Sequence, residues 1–553
     1  MLGKMVKKVV ILLCIYFINI SLFAQTYPQN YFRNPLDIPM KLVANFGEIR
    51  ANHWHMGLDI RTNQRVNLPV HAAADGYIAR VSVEPGGFGQ AIYINHPNGT
   101  TTLYGHLNAF FPTLAQYVKE QQYAQQSWRV NLNIPANMFP VKKGDFIALS
   151  GSTGASEGPH VHFEIRDTKT ENCLNPLLFN FPIADAVPPT VYRIAMYDRN
   201  KSTYLQSPQM VAKGSAIKVG SNRISFAVGA ADRFSNSTNP NGIYSARVLM
   251  DGTLVSEFIL NNISYDDTRY INAQLDYRYK NSGGSYVQHI TPLPGDRSGV
   301  YTTKDDGVIT LNDAAPHTIV IEVLDANKNI SRSTLTVQYN PSLAKEYITT
   351  GEKFLPNNVN VFERHDFLLF TGERTIYDTM LVSYTSVNNS ATNAVSPTHT
   401  FMSSAYPAHD SVTVRIKPIT NITAGDKDRL VIKNTSGTKT FVEKGVWQNG
   451  FVAAKFKQFG SYQIFIDNEP PAINEISTNL THARSIVFTP RDNFGIKNFR
   501  AEVDGQWLRF SNDKGKAWIY LFDEKFPPGE HILKVTVEDV AGNVTTKTWT
   551  VHR

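Results

Sequence analysis

The sequence predicts a mainly β chain built from several domains. Three observations carry that reading. Short runs such as Val161-His162-Phe163-Glu164-Ile165 alternate apolar and polar residues, the two-residue period of a half-buried strand. Asp-Gly turns at Asp251-Gly252 and Asp504-Gly505 punctuate such runs and mark hairpins. At 553 residues the chain is too long for one domain, and downstream of residue 184 it repeats itself.

Taken in order, residues 1–24 read as a secretory signal peptide. Lys4, Lys7 and Lys8 precede an apolar run from Val9 to Phe23 that ends at Ala24-Gln25. Export to the periplasm, cell envelope or extracellular space follows. Cys14 sits in the apolar run behind Leu13, where a lipoprotein signal would need a small residue, so cleavage would leave Cys173 alone and no intrachain disulfide. No later apolar stretch is long enough to span a bilayer. The formal charge of +7 is spread over scattered Lys and Arg, which gives no nucleic-acid footprint, although a mildly basic chain suits an anionic envelope surface.

Residues 25–183 hold the chemistry. His55-Met56-Gly57-Leu58-Asp59 lies on one side of a β-rich stretch and Gly158-Pro159-His160-Val161-His162-Phe163-Glu164 on the other. In a strand, residues i and i+2 share a face about 6–7 Å apart, so His160 and His162 project side by side and one could bind metal while the other handles a proton. Two imidazoles and one carboxylate form a ligand set that leaves an open position for water. A further imidazole, His106, ends the run Thr101-Thr102-Leu103-Tyr104-Gly105-His106-Leu107.

The ordered pattern H-x-G-x-D, Y-x-H-L, G-S-T-G and G-P-H-x-H-F-E resembles the LytM/lysostaphin-type zinc metallopeptidases that cut the peptide part of peptidoglycan. Supporting signposts are Asn45-Phe46-Gly47, Pro69-Val70 with Ala72-Ala73-Ala74-Asp75-Gly76, and Val141-Lys142-Lys143-Gly144-Asp145. The resemblance covers about residues 40–180. It implies a LytM-type antiparallel β-sheet, Zn2+ on His55, Asp59 and His162, and His106 with His160 as the catalytic pair. No His-Glu-x-x-His segment occurs, so imidazole rather than a helix-borne glutamate would act as base, with either histidine in that role. His53, His71 and His96 read as ordinary surface or core histidines. Glu164 reads either as a partner of His162 or as solvent-exposed, and Tyr104 either as a partner of the reacting carbonyl or as packing.

Two departures from the family pattern stand out. Asn67-Leu68 replaces the usual glycine before Pro69-Val70. A segment of about residues 110–140, in which Tyr117–Ala124 could form a short helix, stretches a normally short link and could wall the substrate groove or be a harmless excursion.

The rest of the chain divides into 186–340, 345–466 and 468–553, read as about three β-sandwich, immunoglobulin-like domains. The first and last are copies. Asp185-Ala186-Val187-Pro188-Pro189 matches Asp467-Asn468-Glu469-Pro470-Pro471, Asp232-Arg233-Phe234 matches Asp492-Asn493-Phe494, and both close on a strand ending at Asp325 or Asp539. Copy 1 carries an insertion from Ile259 to Asp306. The Pro-Pro junctions predict that residues 186–553 fold apart from the catalytic unit.

The expected function is that of an exported zinc endopeptidase acting on peptidoglycan peptides, with the sandwiches available to other envelope proteins. A non-catalytic wall-binding module or activator, and an envelope adhesin or scaffold, are the alternatives.

Overall fold

A computed structural model describes residues 27–553 apart from 236, 348, 389 and 390. The expected signal peptide and Cys14 lie outside the described residues. The chain is mostly β, with Pro112–Ala124 the longest described helix, and no described helix is long and apolar enough to cross a membrane.

The site depends on one antiparallel sheet. Its strands run in the order Leu42–Ala44, Leu58–Arg61, His160–Asp167, Thr100–Gly105, Gln90–Asn95, Gly76–Val83 and Val130–Asn133. Valine, isoleucine and aromatic residues recur through these strands, as residues that fit a pleated, packed surface do. Val161, Phe163 and Ile165 on the His160–Asp167 strand point into a core with Leu58, Ile60, Ile92 and Tyr104. The alternate residues His160, His162, Glu164 and Arg166 share the other face.

The insertion is structured. Pro112 opens the helix, a position where its missing N–H costs nothing, and Leu114 and Val118 bury one face. The helix is therefore longer than the Tyr117–Ala124 segment expected. The Val130–Asn133 strand that follows pairs with Gly76–Val83 and closes one edge of the sheet.

Beyond residue 185 come three pairs of facing sheets, each enclosing a core. Ile194, Phe226, Phe258 and Ile321 fill the first, Leu369, Val414, Ile432 and Ile464 the second, and Phe488, Tyr520, Val535 and Trp549 the third.

The first of these cores is not separate from the peptidase-like unit. Phe46, Trp54, Met56 and Cys173 are buried in the same cluster as Phe226 and Phe258. Trp54 Nε1 donates to Gln274 Oε1 at 2.9 Å, and Asn45 exchanges a reciprocal pair of 2.8 Å hydrogen bonds with the backbone of Gly242. Cys173–Leu174 pairs with both His160–Asp167 and Asn262–Ile263, carrying the sheet into the copy-1 insertion. The expectation of separate folding is therefore corrected. Pro-Pro marks where the chain turns a corner, but it carries no information about which surfaces are later covered.

This shared core generates a first prediction. Phe46 and Met56 are each worth about 1.5–3 kcal/mol when buried, so a fragment ending at residue 184 should be less stable than one ending at residue 344 by about 3 kcal/mol or more. Thermal unfolding followed by circular dichroism checks this, and equal midpoints for the two fragments would refute the shared core.

Candidate metal centre

Strand register brings the two halves of the sequence pattern together. His162 lies directly opposite Asp59 on one neighbouring strand and opposite Gly105 on the other. His55 Nε2, Asp59 Oδ1 and His162 Nδ1 converge, at 3.0 Å from His55 to Asp59, 2.9 Å from His162 to Asp59 and 3.1 Å between the imidazoles. Tetrahedral ligands about 2.05 Å from a zinc ion would stand about 3.3 Å apart, so the donors are nearly at ligand spacing. Gly57 explains the middle of the H-x-G-x-D motif. A Cβ there would meet Phe163 O at 2.5 Å and His162 Nε2 at 3.0 Å.

The outward nitrogens settle which lone pairs face in. A peptide carbonyl only accepts, so the 2.8 Å contact to Asn45 O puts a proton on His55 Nδ1 and frees Nε2 for a metal. His162 Nε2 donates to Glu164 Oε1 at 2.9 Å, which frees Nδ1. Such orienting partners are typical of metal-bound imidazole. Glu164 is itself fully buried and saturated: Arg166 Nε and Nη2 both donate to Oε2 at 2.7 Å, Tyr265 donates to Oε1, and Cys173 Sγ lies 3.4 Å from Oε2. Of the two sequence readings of Glu164, solvent exposure is thus excluded.

The charges follow from these contacts. Burial alone would raise the Glu164 carboxyl, but Arg166, His162 and Tyr265 outweigh it and hold it at about 2. Burial would lower His162, yet hydrogen bonds to Asp59 and Glu164 push it up to about 9. Asp59 is held well below the usual carboxylate range, because His55, His160 and His162 outweigh its desolvation. Three such groups around one point, with a carboxylate behind them, invite a cation. The three residues form a group that could hold a metal ion.

His106 and His160 flank this group. Their rings are 4.7 Å apart, centre to centre, and His160 Nε2 is 3.4 Å from Asp59 Oδ1. Nδ1 of each donates to a carbonyl, Thr153 O at 2.8 Å for His106 and Gly158 O at 2.9 Å for His160, so both Nε2 atoms are free to accept a proton. His106 adopts φ 60°, a left-handed conformation that costs energy for a non-glycine residue and is concentrated at functional sites. Burial first, then the neighbouring imidazoles, pushes it down to about 3, which keeps it neutral. Tyr104 does not reach the cluster. Its hydroxyl accepts from Ala73 N at 2.7 Å within the core, which leaves packing as its role. His71 contacts Asp37 and His96 is buried against Thr102, both away from the site, while exposed His53 lies near enough to His55 and His162 to feel their charge but is not one of the converging ligands.

Two surfaces that sequence reasoning missed border the centre. A groove of about 410 Å³ beside Phe88 and Tyr265 is lined by Arg80, Arg129 and Arg166 with Glu84 and Glu171, and Phe88 stacks 5.3 Å from His162. Tyr265 belongs to the copy-1 insertion. Its role had no local signal, because the residue is 101 positions from Glu164 and its value lies in a buried carboxylate needing a donor. On the other side, the Asn512–Gly515 turn of the last sandwich sits on the 151–158 loop. Lys514 Nζ donates to Ser152 O, Gly154 O and Ser156 O at 2.7, 2.7 and 3.0 Å, and Gly154 N donates to Asp513 Oδ1 at 2.7 Å. The insertion helix supplies the rest of this dock through Lys119 to Glu524, Tyr123 to Asp523 and Gln122 to Arg509.

Parts of the chain are similar to known proteins. Residues 53–126, which include His55, Asp59 and His106, match Peptidase family M23, and residues 352–467 match a Zu5-like domain. The DD-carboxypeptidase/endopeptidase Mpg of Neisseria meningitidis serogroup B is 38% identical over 112 residues, 20% of each chain. The peptidoglycan DD-endopeptidase ShyA of Vibrio cholerae is 27% identical over 162 residues, 28% of this chain and 31% of that one. A crystal structure of a zinc-containing peptidase from Vibrio cholerae aligns at 27% identity over 25% of this chain and 37% of that chain, with a TM-score of 0.19. The chain spans about a fifth of the length of the first curated relatives it matches. The H-x-G-x-D and G-P-H-x-H-F-E motifs folded into one cluster, together with the match over residues 53–126, support a relation of this part of the chain to Peptidase family M23 of the LytM/lysostaphin type.

Proposed function

We propose that the chain is an exported zinc endopeptidase that hydrolyses peptide bonds in peptidoglycan, with His55, Asp59 and His162 as metal ligands and His106 and His160 as the catalytic pair. The observation that carries this reading is the convergence of three inward lone pairs, each fixed from behind or by register, beside two further imidazoles with free Nε2 atoms. A zinc ion held there supplies Lewis acidity and lowers the pKa of bound water. The chain's own residues do the rest. His160 Nε2 stands 3.4 Å from Asp59 Oδ1, next to the point where the ligand atoms converge, so it is assigned the proton-accepting role. His106, buried and neutral, orients the reacting groups. The groove arginines are paired with Glu84, Glu164 and Glu171, so the substrate class is taken from the names of the matched relatives. Their wall-acting names also favour an envelope location.

Replacing His55, Asp59 or His162 by Ala should remove stoichiometric zinc together with activity, because three ligands leave none to spare. His106→Ala and His160→Ala should keep zinc and lose turnover by about a hundred- to ten-thousand-fold. Elemental analysis of each variant beside digestion of purified peptidoglycan, with mass spectrometry of the fragments, checks both. Zinc retained in Asp59→Ala would refute the ligand set.

Glu164→Gln should weaken zinc binding by about 10–100-fold, the usual effect of losing a partner that orients a ligand. A chelator-competition titration reads it, and unchanged affinity would remove Glu164 from the site.

Lys514 gathers three carbonyls of the loop whose Thr153 O orients His106, so the last sandwich is assigned the task of holding that loop. Lys514→Ala should retain zinc and lower kcat several-fold on soluble muropeptides. A rise in rate would instead show that the docked turn obstructs the groove.

A further inference from the structure

Two clusters of carboxylates occupy equivalent places in the duplicated sandwiches, far from the peptidase centre in sequence. Asp185, Asp232 and Asp325 in copy 1, and Asp467, Asp492 and Asp539 in copy 2, each offer one oxygen within 4.8 Å of the other two. In each copy the first aspartate lies just before the Pro-Pro junction, the second on a loop and the third at the end of the next-to-last strand, where the chain turns into the last one. The surroundings repeat as well. Asn329 Nδ2 donates to Asp325 Oδ2 at 2.7 Å and to Asp185 O at 3.4 Å, and Asn543 Nδ2 donates to Asp539 Oδ2 at 2.8 Å and to Asp467 O at 2.9 Å.

What makes these more than acidic patches is unsatisfied, buried oxygen. Asp232 is 2% exposed and its Oδ1 has no hydrogen-bond partner. Asp467 is 0% exposed and its Oδ2 has none. Asn241, bridged to Asp232 through the backbone, adds a buried Oδ1 that is also unpartnered. Buried polar atoms are nearly always paired, and an aspartate oxygen left open in each cluster, on the second aspartate in copy 1 and on the first in copy 2, calls for a ligand. No Lys or Arg forms an ion pair with any of the six carboxylates among the described residues. Burial, then repulsion from Asp185 and Asp325, pushes Asp232 up to about 7, and burial raises Asp467 as well.

We infer that each cluster is a calcium site, so that the chain carries two structural Ca2+ ions in addition to its peptidase metal centre. The donors are all oxygen, which selects a hard cation and argues against zinc. Calcium accepts six to eight oxygens in flexible geometry, whereas magnesium demands a near-ideal octahedron that aspartates locked by backbone hydrogen bonds, Asp185 and Asp325 in copy 1 and all three in copy 2, do not offer readily. A cavity of about 50 Å³ lined by Asp185, Asp232 and Asn327 leaves room for water to complete the shell of the first site. Each ion would tie the chain entering a sandwich to two of its loops. In copy 2 this sets the direction from which the Asn512–Gly515 turn reaches the catalytic loop. The inference does not depend on the peptidase reading.

Equilibrium dialysis of the mature full-length chain, stripped of metal and given one equivalent of zinc, against radioactive calcium tests it. At about 5 mM calcium, above the affinity range of extracellular modules, about two ions per chain should bind. Asp232→Asn and Asp492→Asn should each remove one and the double variant both, while Asp428→Asn, exposed and outside the clusters, should remove none. Calcium should also raise the thermal unfolding midpoint of the parent chain by several degrees, more than equal magnesium does. Circular dichroism of the calcium-free variants, matching that of the calcium-free parent, guards against misfolding. Asp539→Asn serves as a second copy-2 variant if Asp492→Asn unfolds. Absence of calcium binding by the parent chain, or unchanged stoichiometry in folded variants, overturns the inference.

Discussion

The contact on which the rest depends is the one between His162 and the buried carboxylate of Glu164. An imidazole aimed at a metal needs a fixed partner on its far nitrogen, and a carboxylate serves well only if its own charge is satisfied. Arg166, two residues along the same strand face, supplies most of that compensation, and Tyr265 supplies the last donor. Because Tyr265 sits in the insertion of the first sandwich, the charge balance of the metal centre reaches beyond the peptidase sheet. The adjoining burial of Phe46, Trp54 and Met56 in the sandwich core is the apolar counterpart of the same dependence.

A similar logic runs on the other side of the centre. The 151–158 loop carries the carbonyls that orient His106 and His160, yet several of its own polar groups find no partner within the peptidase sheet. The last sandwich provides them through Asp513 and Lys514, and the insertion helix gives that sandwich a place to dock. A segment that looks like an excursion in the sequence is therefore a platform. Gly154, at φ +69°, lets the 151–158 loop pack against the neighbouring 86–89 segment, since a Cβ there would lie 2.3 Å from Gly89 N.

Legibility differed by the range of the information. Strand alternation around His160–Asp167 placed His160, His162 and Glu164 on one face, because a two-residue period is local and the sheet respects it. Which reading of Glu164 was right could not be decided there, since exposure depends on what covers the strand. The helix in the insertion was visible only in part, its first turns being opened by Pro112 and stabilised by buried Leu114 and Val118. The match between the two Asp-Pro-Pro copies was plain in the sequence. That their three aspartates converge, and that Asp232 and Asp467 are left with open oxygens, emerged only from loops folded together.

By itself the sequence determined the β character of the chain, the residues of the metal centre as candidates, the family they resemble and the duplication of the sandwiches. All of these are written in short-range patterns: alternation, motif spacing and repeated segments. The tertiary structure decided the register that sets His162 opposite Asp59, the hydrogen-bond partner of each imidazole, the shared core between the first two units and the docking of the last sandwich on the 151–158 loop. The imidazole contacts are short-range, with partners 2, 10 or 47 positions away, but the others join residues about one hundred to four hundred positions apart. Such contacts form because buried charge and apolar surface must be covered, a requirement that names no partner until the chain has folded.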